Sequence, residues 1–106
     1  MEPGRLLAIA RAIAFVAMIV PARAETVQIT MENLEFAPAD VALKVGDTVE
    51  WINKDVFAHT ATARGGDFDV NLPAKKSATS IVKKAGIVEY YCRFHPNMKA
   101  VLRIAP

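Results

Sequence analysis

The chain has 106 residues, room for one domain, and a formal net charge of +2. That balance excludes the bulk basicity of a nucleic-acid binder. A single cysteine excludes an internal disulfide, so Cys92 must be a free thiol, half of an intermolecular bridge, or a metal ligand.

Residues 1–24 read as an export leader. Arg5 and Arg11 make a positive start, residues 6–10 and 12–20 are apolar, Pro21 breaks a helix, and Ala22-Arg23-Ala24 is a small-x-small cleavage site. The uncharged run 12–21 is too short for a retained membrane anchor, since a span needs about 20 apolar residues. The expectation is a helical signal peptide over 1–24, cleaved after Ala24, and a domain over 25–106. Without Arg5, Arg11, Arg23 and Glu2, ten basic and ten acidic side chains remain, a net charge of zero. The remaining 82 residues suffice for one small core.

The domain reads as strands and turns. Residues 26–31 alternate, with Val27, Ile29 and Met31 on one side. Phe36-Ala37-Pro38 marks a kink or sheet edge, because proline cannot donate to a ladder. Val41, Leu43 and Val45 alternate up to a turn at Gly46-Asp47. Residues 48–53 place Val49 and Trp51 on one face. A short Thr/Ala strand over 58–62 surrounds His59, Arg64-Gly65-Gly66-Asp67 is a turn, and Asn71-Leu72-Pro73 opens a loop. Residues 77–83 form the next strand, and Ala85-Gly86 turns into the most β-prone run, 87–94. There Val88, Tyr90 and Cys92 share a face, which points Cys92 inward. Residues 98–104 form the last strand. No helical periodicity or repeat is visible in 25–106, and many short strands between turns predict a β-sandwich or barrel. Lys75, Lys76, Lys83 and Lys84 are a candidate docking patch or simply a solvated face.

The soft-donor inventory of the domain is short: His59, Cys92, His95, Met31 and Met98. Three of these fall within residues 92–98, spaced Cys-x2-His-x2-Met. Two imidazoles, a thiolate and a weak thioether make the donor set of a mononuclear copper electron-transfer site, with the methionine axial. Cu(I) favours the sulfurs and Cu(II) accepts imidazole, so a mixed set serves both oxidation states. Zinc competes for Cys and His, but structural zinc sites use four strong donors, and methionine is a poor one. Taken singly, a His is more often a satisfied core or surface residue, and a Met is more often packing. Jointly, the spacing favours copper.

The segments LKVGDTVEWINKD before His59 and KKAGIVEYYCRFHPNMKAVLRI around Cys92 resemble the small blue copper proteins, the cupredoxins. Their short gap between His95 and Met98 is that of the amicyanin type, whereas plastocyanin and pseudoazurin have a longer one. The resemblance covers nearly all of residues 26–105. It implies an all-β Greek-key sandwich with one type 1 copper ion at one end, His59, Cys92 and His95 as equatorial ligands, and Met98 as axial ligand. It also implies a monomeric periplasmic electron carrier rather than an enzyme. Its electrons would leave through His95, set in an apolar patch of Phe57, Ala58, Phe94 and Pro96. Redox proteins such as a dehydrogenase or a c-type cytochrome would dock there.

Three departures from the amicyanin pattern stand out. Thr60 replaces the asparagine that commonly follows the first histidine and ties the ligand loops together. Phe94 replaces a proline, which adds an N–H that could reach the Cys92 sulfur and raise the reduction potential. The chain is also shorter at its N-terminus and between His59 and Cys92. Two other functions compete: copper storage or delivery, which favours an exposed, methionine-rich site, and a Cys–His nucleophile, which leaves Met98 without a role.

Overall fold

The structure is a computed structural model that describes residues 23–106. The helical leader expected over 1–24 therefore lies, but for Arg23 and Ala24, outside the described residues. Nine strands follow: β1 Thr26–Glu32, β2 Glu35–Ala37, β3 Asp40–Lys44, β4 Thr48–Asn53, β5 His59–Ala63, β6 Asp69–Leu72, β7 Ser77–Ile81, β8 Gly86–Tyr91 and β9 Lys99–Ala105. They form two sheets, ordered β2-β1-β4-β7 and β3-β9-β8-β5-β6. No helix occurs among the described residues. This is an all-β sandwich, one of the two architectures that the strand pattern predicts, and it agrees with the Greek-key sandwich that the resemblance implies.

The alternation of apolar residues builds the interior. Ile29 and Met31 of β1, Val49 and Trp51 of β4, Val88 and Tyr90 of β8, and Leu102 and Ile104 of β9 are buried between the sheets. Their neighbours on each strand face outward, as a period of two requires. β1 runs parallel to β4 and β3 parallel to β9, while the other pairs are antiparallel. The β1–β2 hairpin turns on Asn33 (φ 56°) and Leu34 (φ 62°), the two positive φ angles of a type I′ turn. β2 is the edge strand that Phe36-Ala37-Pro38 suggests.

Three element boundaries differ from expectation. Val45 lies beyond β3 and is exposed, because its N–H bonds Ala105 and the chain turns at Gly46 (φ 98°). The region of Asn71 and Leu72 is strand rather than loop: β6 pairs with β5 from His59↔Leu72 to Thr62↔Asp69. Asp and Asn are poor strand formers, and here they occupy the exposed side of an edge strand. The run 87–94 leaves the sheet after Tyr91, because Cys92 N–H bonds Met98 C=O and closes a loop instead.

Phe36, Trp51, Phe68 and Tyr90 form an aromatic cluster with centroids 4.7–6.4 Å apart. Trp51 satisfies its indole N–H on Ser80 Oγ at 2.9 Å. The Tyr90 hydroxyl is buried with no protein partner among the described residues, and burial pushes its pKa up. An unpaired buried hydroxyl costs about 1–3 kcal/mol. Tyr90→Phe should therefore keep or raise the unfolding free energy measured by denaturant titration; a clear loss would mean that the hydroxyl is satisfied.

Candidate metal centre

The fold brings three of the expected donors together at one end of the sandwich. His59 opens β5, Cys92 follows β8, and His95 sits midway along the loop from β8 to β9. One ligand atom from each lies within 4.8 Å of the others. Cys92 Sγ is 3.7 Å from His59 Nδ1 and 3.7 Å from His95 Nδ1. A nitrogen at about 2.0 Å and a thiolate sulfur at about 2.3 Å from one ion, 120° apart, would lie about 3.7 Å from each other. The donor set and its spacing thus fit a trigonal first-row metal ion. His59 and Cys92 are fully buried, and His95 is partly exposed.

The spacing Cys-x2-His-x2-Met folds because each donor residue closes a turn on another. His95 N–H bonds Cys92 C=O, Met98 N–H bonds His95 C=O, and Cys92 N–H bonds Met98 C=O. Tyr91↔Lys99 is the pair of β8 and β9 that bounds this loop. Met98 itself is buried.

Thr60 joins the two ligand segments. Its N–H donates to Cys92 Sγ at 3.3 Å, and its Oγ1 accepts the Arg93 N–H at 2.9 Å. The same hydroxyl contacts Thr62 Oγ1, which donates to Asp69 Oδ1. Arg93 closes the circuit on Asp69 and Asn71. A hydroxyl thus makes the loop-to-loop link that asparagine makes in the amicyanin pattern. The donation expected from Phe94 N–H is not made. Among the described residues, Thr60 is the backbone donor on that sulfur, and Phe94 sits within the turn closed by His95 with an exposed side chain. The higher reduction potential expected from Phe94 loses its structural basis.

Two supporting residues escaped the sequence reading. Asn53 continues the buried face of Val49 and Trp51. Its Nδ2 donates to Phe57, Leu72 and Pro73 carbonyls, and its Oδ1 accepts the Asp55 N–H. A polar residue at a core-facing position was the available signal. Asp55 Oδ2 lies 2.8 Å from His59 Nε2, which leaves Nδ1 facing Cys92. The Asp55 carboxylate also accepts Asn33 and Leu34 N–H from the β1–β2 turn. Burial alone would raise its pKa, but the bonds to His59, Leu34 and Asn33 outweigh burial and lower it.

Phe57, Ala58, Phe94 and Pro96 are exposed, as is Val56, and the Phe57 ring centroid lies 6.1 Å from the His95 imidazole. Lys75 and Lys76 precede β7 while Lys83 and Lys84 follow it, so the four do not form one continuous patch.

A family profile described as "Cupredoxin-like domain" matches residues 5–104. Amicyanin from Paracoccus versutus is 29% identical over 82 residues, 72% of this chain and 62% of its own length, so the chain spans less than two thirds of that relative. The solved structure of amicyanin from the same organism superposes with a TM-score of 0.64 at 27% identity, over 80% of this chain and 84% of that one. Methylamine utilization protein MauL of Methylorubrum extorquens is 25% identical over 105 residues, 95% of this chain and 92% of its own. A copper-containing nitrite reductase (NirK) from Thermus scotoductus SA-01 superposes with a TM-score of 0.69 at 25% identity, over 91% of this chain but only 25% of that one.

The Thr60 bridge yields a direct test. Thr60→Val keeps shape but removes the acceptor of the Arg93 N–H, and leaving a part-buried donor unpaired should cost about 1–3 kcal/mol of unfolding free energy. Chemical denaturation of the metal-free chain measures it.

Proposed function

The chain belongs to the cupredoxin-like domain family, and on that premise we propose that it is a type 1 copper electron carrier. His59, Cys92 and His95 are the proposed equatorial ligands and Met98 the axial one. One copper ion bound there would supply a one-electron Cu(I)/Cu(II) couple. The observation that carries this reading is the convergence of both imidazole Nδ1 atoms on a buried thiol, each at 3.7 Å.

The protein's own groups do the remainder. The Thr60 N–H donates to Cys92 Sγ and helps to hold the sulfur in place. Asp55 holds His59 through Nε2, and such partners fix a ligating imidazole's tautomer and orientation. Burial of His59, Cys92 and Met98 keeps bulk water from the donors. His95, partly exposed, provides the route for outer-sphere transfer, and the apolar patch around it provides a docking surface for a redox partner.

The relationship to MauL and amicyanin supports redox partners in methylamine utilization, such as a dehydrogenase or a c-type cytochrome. The leader pattern supports export after cleavage at Ala24, with residues 25–106 acting in the periplasm as a monomer. Burial of the donors disfavours copper storage or delivery, which needs an accessible site. A Cys–His nucleophile is disfavoured because it gives the buried Met98 no role.

Copper loading tests the proposal. The Cu(II) protein should absorb red light intensely and look blue, and Cys92→Ser should abolish that band while still folding. A colourless copper-loaded wild type would refute the assignment. Met98→Leu should retain the band with a changed reduction potential, because a weak axial ligand tunes potential more than it holds the ion.

A further inference from the structure

Asp47 is a carboxylate that belongs neither to the metal centre nor to the surface. It sits in the β3–β4 turn at the opposite end of β4 from Asn53, only 2% exposed. Its Oδ2 accepts the Lys44 N–H at 2.9 Å, and its Oδ1 accepts Lys44 Nζ at 3.0 Å and the Glu25 N–H at 2.9 Å. Its backbone is held by Lys44 C=O and by the Val82 N–H, and the Glu25 carbonyl accepts the Thr48 N–H at 2.8 Å. Glu25 is thus docked on both sides of its peptide unit immediately before β1.

The nitrogen that enters this socket is the one that the leader cleavage would free. We propose that removal of residues 1–24 converts the Glu25 nitrogen from a neutral amide donor into an α-ammonium seated on the Asp47 carboxylate, an ion pair that fastens β1 to the β3–β4 turn only in the processed chain. The inference rests on the leader reading above. Hydrolysis by a leader-removing peptidase adds one water across the Ala24–Glu25 bond. Ala24 leaves as a carboxylate, and the Glu25 nitrogen becomes –NH3+. Atoms and charge balance, and no co-reactant beyond water is needed.

The register is specific. A chain beginning at Ala24 would keep a neutral amide at the socket. A chain beginning at Thr26 would lose the Glu25 nitrogen, and successive strand residues alternate in direction. The low pKa of Asp47, about 2, follows first from the Glu25 N–H, then from the Lys44 N–H and ammonium, so a carboxylate is present across the physiological range. Charged groups around the pair are Lys44, whose ammonium shares Oδ1, the exposed side chain of Glu25 itself, and Lys83 and Lys84, which follow Val82. Lys44 limits the gain by like-charge repulsion but does not occupy the position of the Glu25 nitrogen.

An amine with an anionic partner has a raised pKa. Its stabilisation is fully present below the ordinary amine value, about 7.7–8.0, and is lost as pH rises through the raised value. Every strand among the described residues lies within 26–105, so a chain beginning at Glu25 carries the sandwich described above. In that chain the terminal amine, followed by NMR, should titrate about one unit or more above the ordinary range. In the chain beginning at Ala24, the amine should titrate normally. Asp47→Asn should return the Glu25 amine to the ordinary value, and if that variant does not fold, the Ala24 comparison still decides. An ordinary amine pKa in the folded Glu25 chain overturns the ion pair. Separately, the intact mass of the exported full-length product tests the leader reading: a terminus other than Glu25 overturns that reading and, with it, the occurrence of the pair.

Discussion

The structure turns on how β5 and β8 part company. They pair at Thr62↔Tyr91 and Ala63↔Tyr90, and beyond those pairs β8 gives way to the 92–98 loop. A gap between neighbouring strands leaves backbone groups without ladder partners, which is costly in a buried setting. Thr60 fills the gap with two of its polar groups, the N–H donating to Cys92 Sγ and the hydroxyl accepting the Arg93 N–H. The wedge so opened is where His59, Cys92 and His95 meet. The sulfur can be buried there because a polar donor reaches it, and the donor can reach it because the ladder has ended.

β4 is the spine on which the two ends of the sandwich are closed. Val49 and Trp51 fill its middle, while Asp47 just before it and Asn53 at its end are buried and polar. Asn53 reaches across from the first sheet to the Leu72 carbonyl of β6 in the second, and it also holds Asp55 and Phe57 on the way to His59. Asp47 gathers the start of β1, the end of β3 and the segment after β7. Directional hydrogen bonds thus close the sandwich at both ends of β4, with the apolar packing between them.

Much of this was legible in the sequence because its carriers are periodic. The alternation in residues 26–31 and 48–53 gives the strands and the inward faces directly, and Val88, Tyr90 and Cys92 share the buried face that their spacing implies. The donor cluster is legible for a different reason: Cys92, His95 and Met98 are close in sequence, and His59 is the other histidine of the chain. What escaped depends on contacts between distant segments. Asn71 and Leu72 of β6 read as the start of a loop because Asn71 and Pro73 are turn-forming residues, and only the pairing with β5 makes them strand. The Asp55–His59 contact needs the bend between β4 and β5, which no periodicity encodes. Phe94 shows the converse error: removing a proline supplies an N–H but does not say where it points, and the turn closed by His95 leaves the sulfur to Thr60.

The two imidazoles are held in different ways, and that difference bears on function. His59 is sealed, with Nε2 engaged by a carboxylate that also caps the β1–β2 turn, so its position is fixed by segments far from the ligand loop. His95 rides on the loop, fixed by the turn hydrogen bonds of residues 92–98, and reaches partial exposure beside Phe57. In both cases protein hydrogen bonds act on the donor: a carboxylate holds the His59 ring, and turn bonds hold the backbone that carries His95. Under the proposed electron-carrier role, donors so held would move little when the charge of a bound ion changed. Under the proposed role the asymmetry would separate two tasks, with the buried histidine maintaining the geometry and the partly exposed one opening the route to a partner.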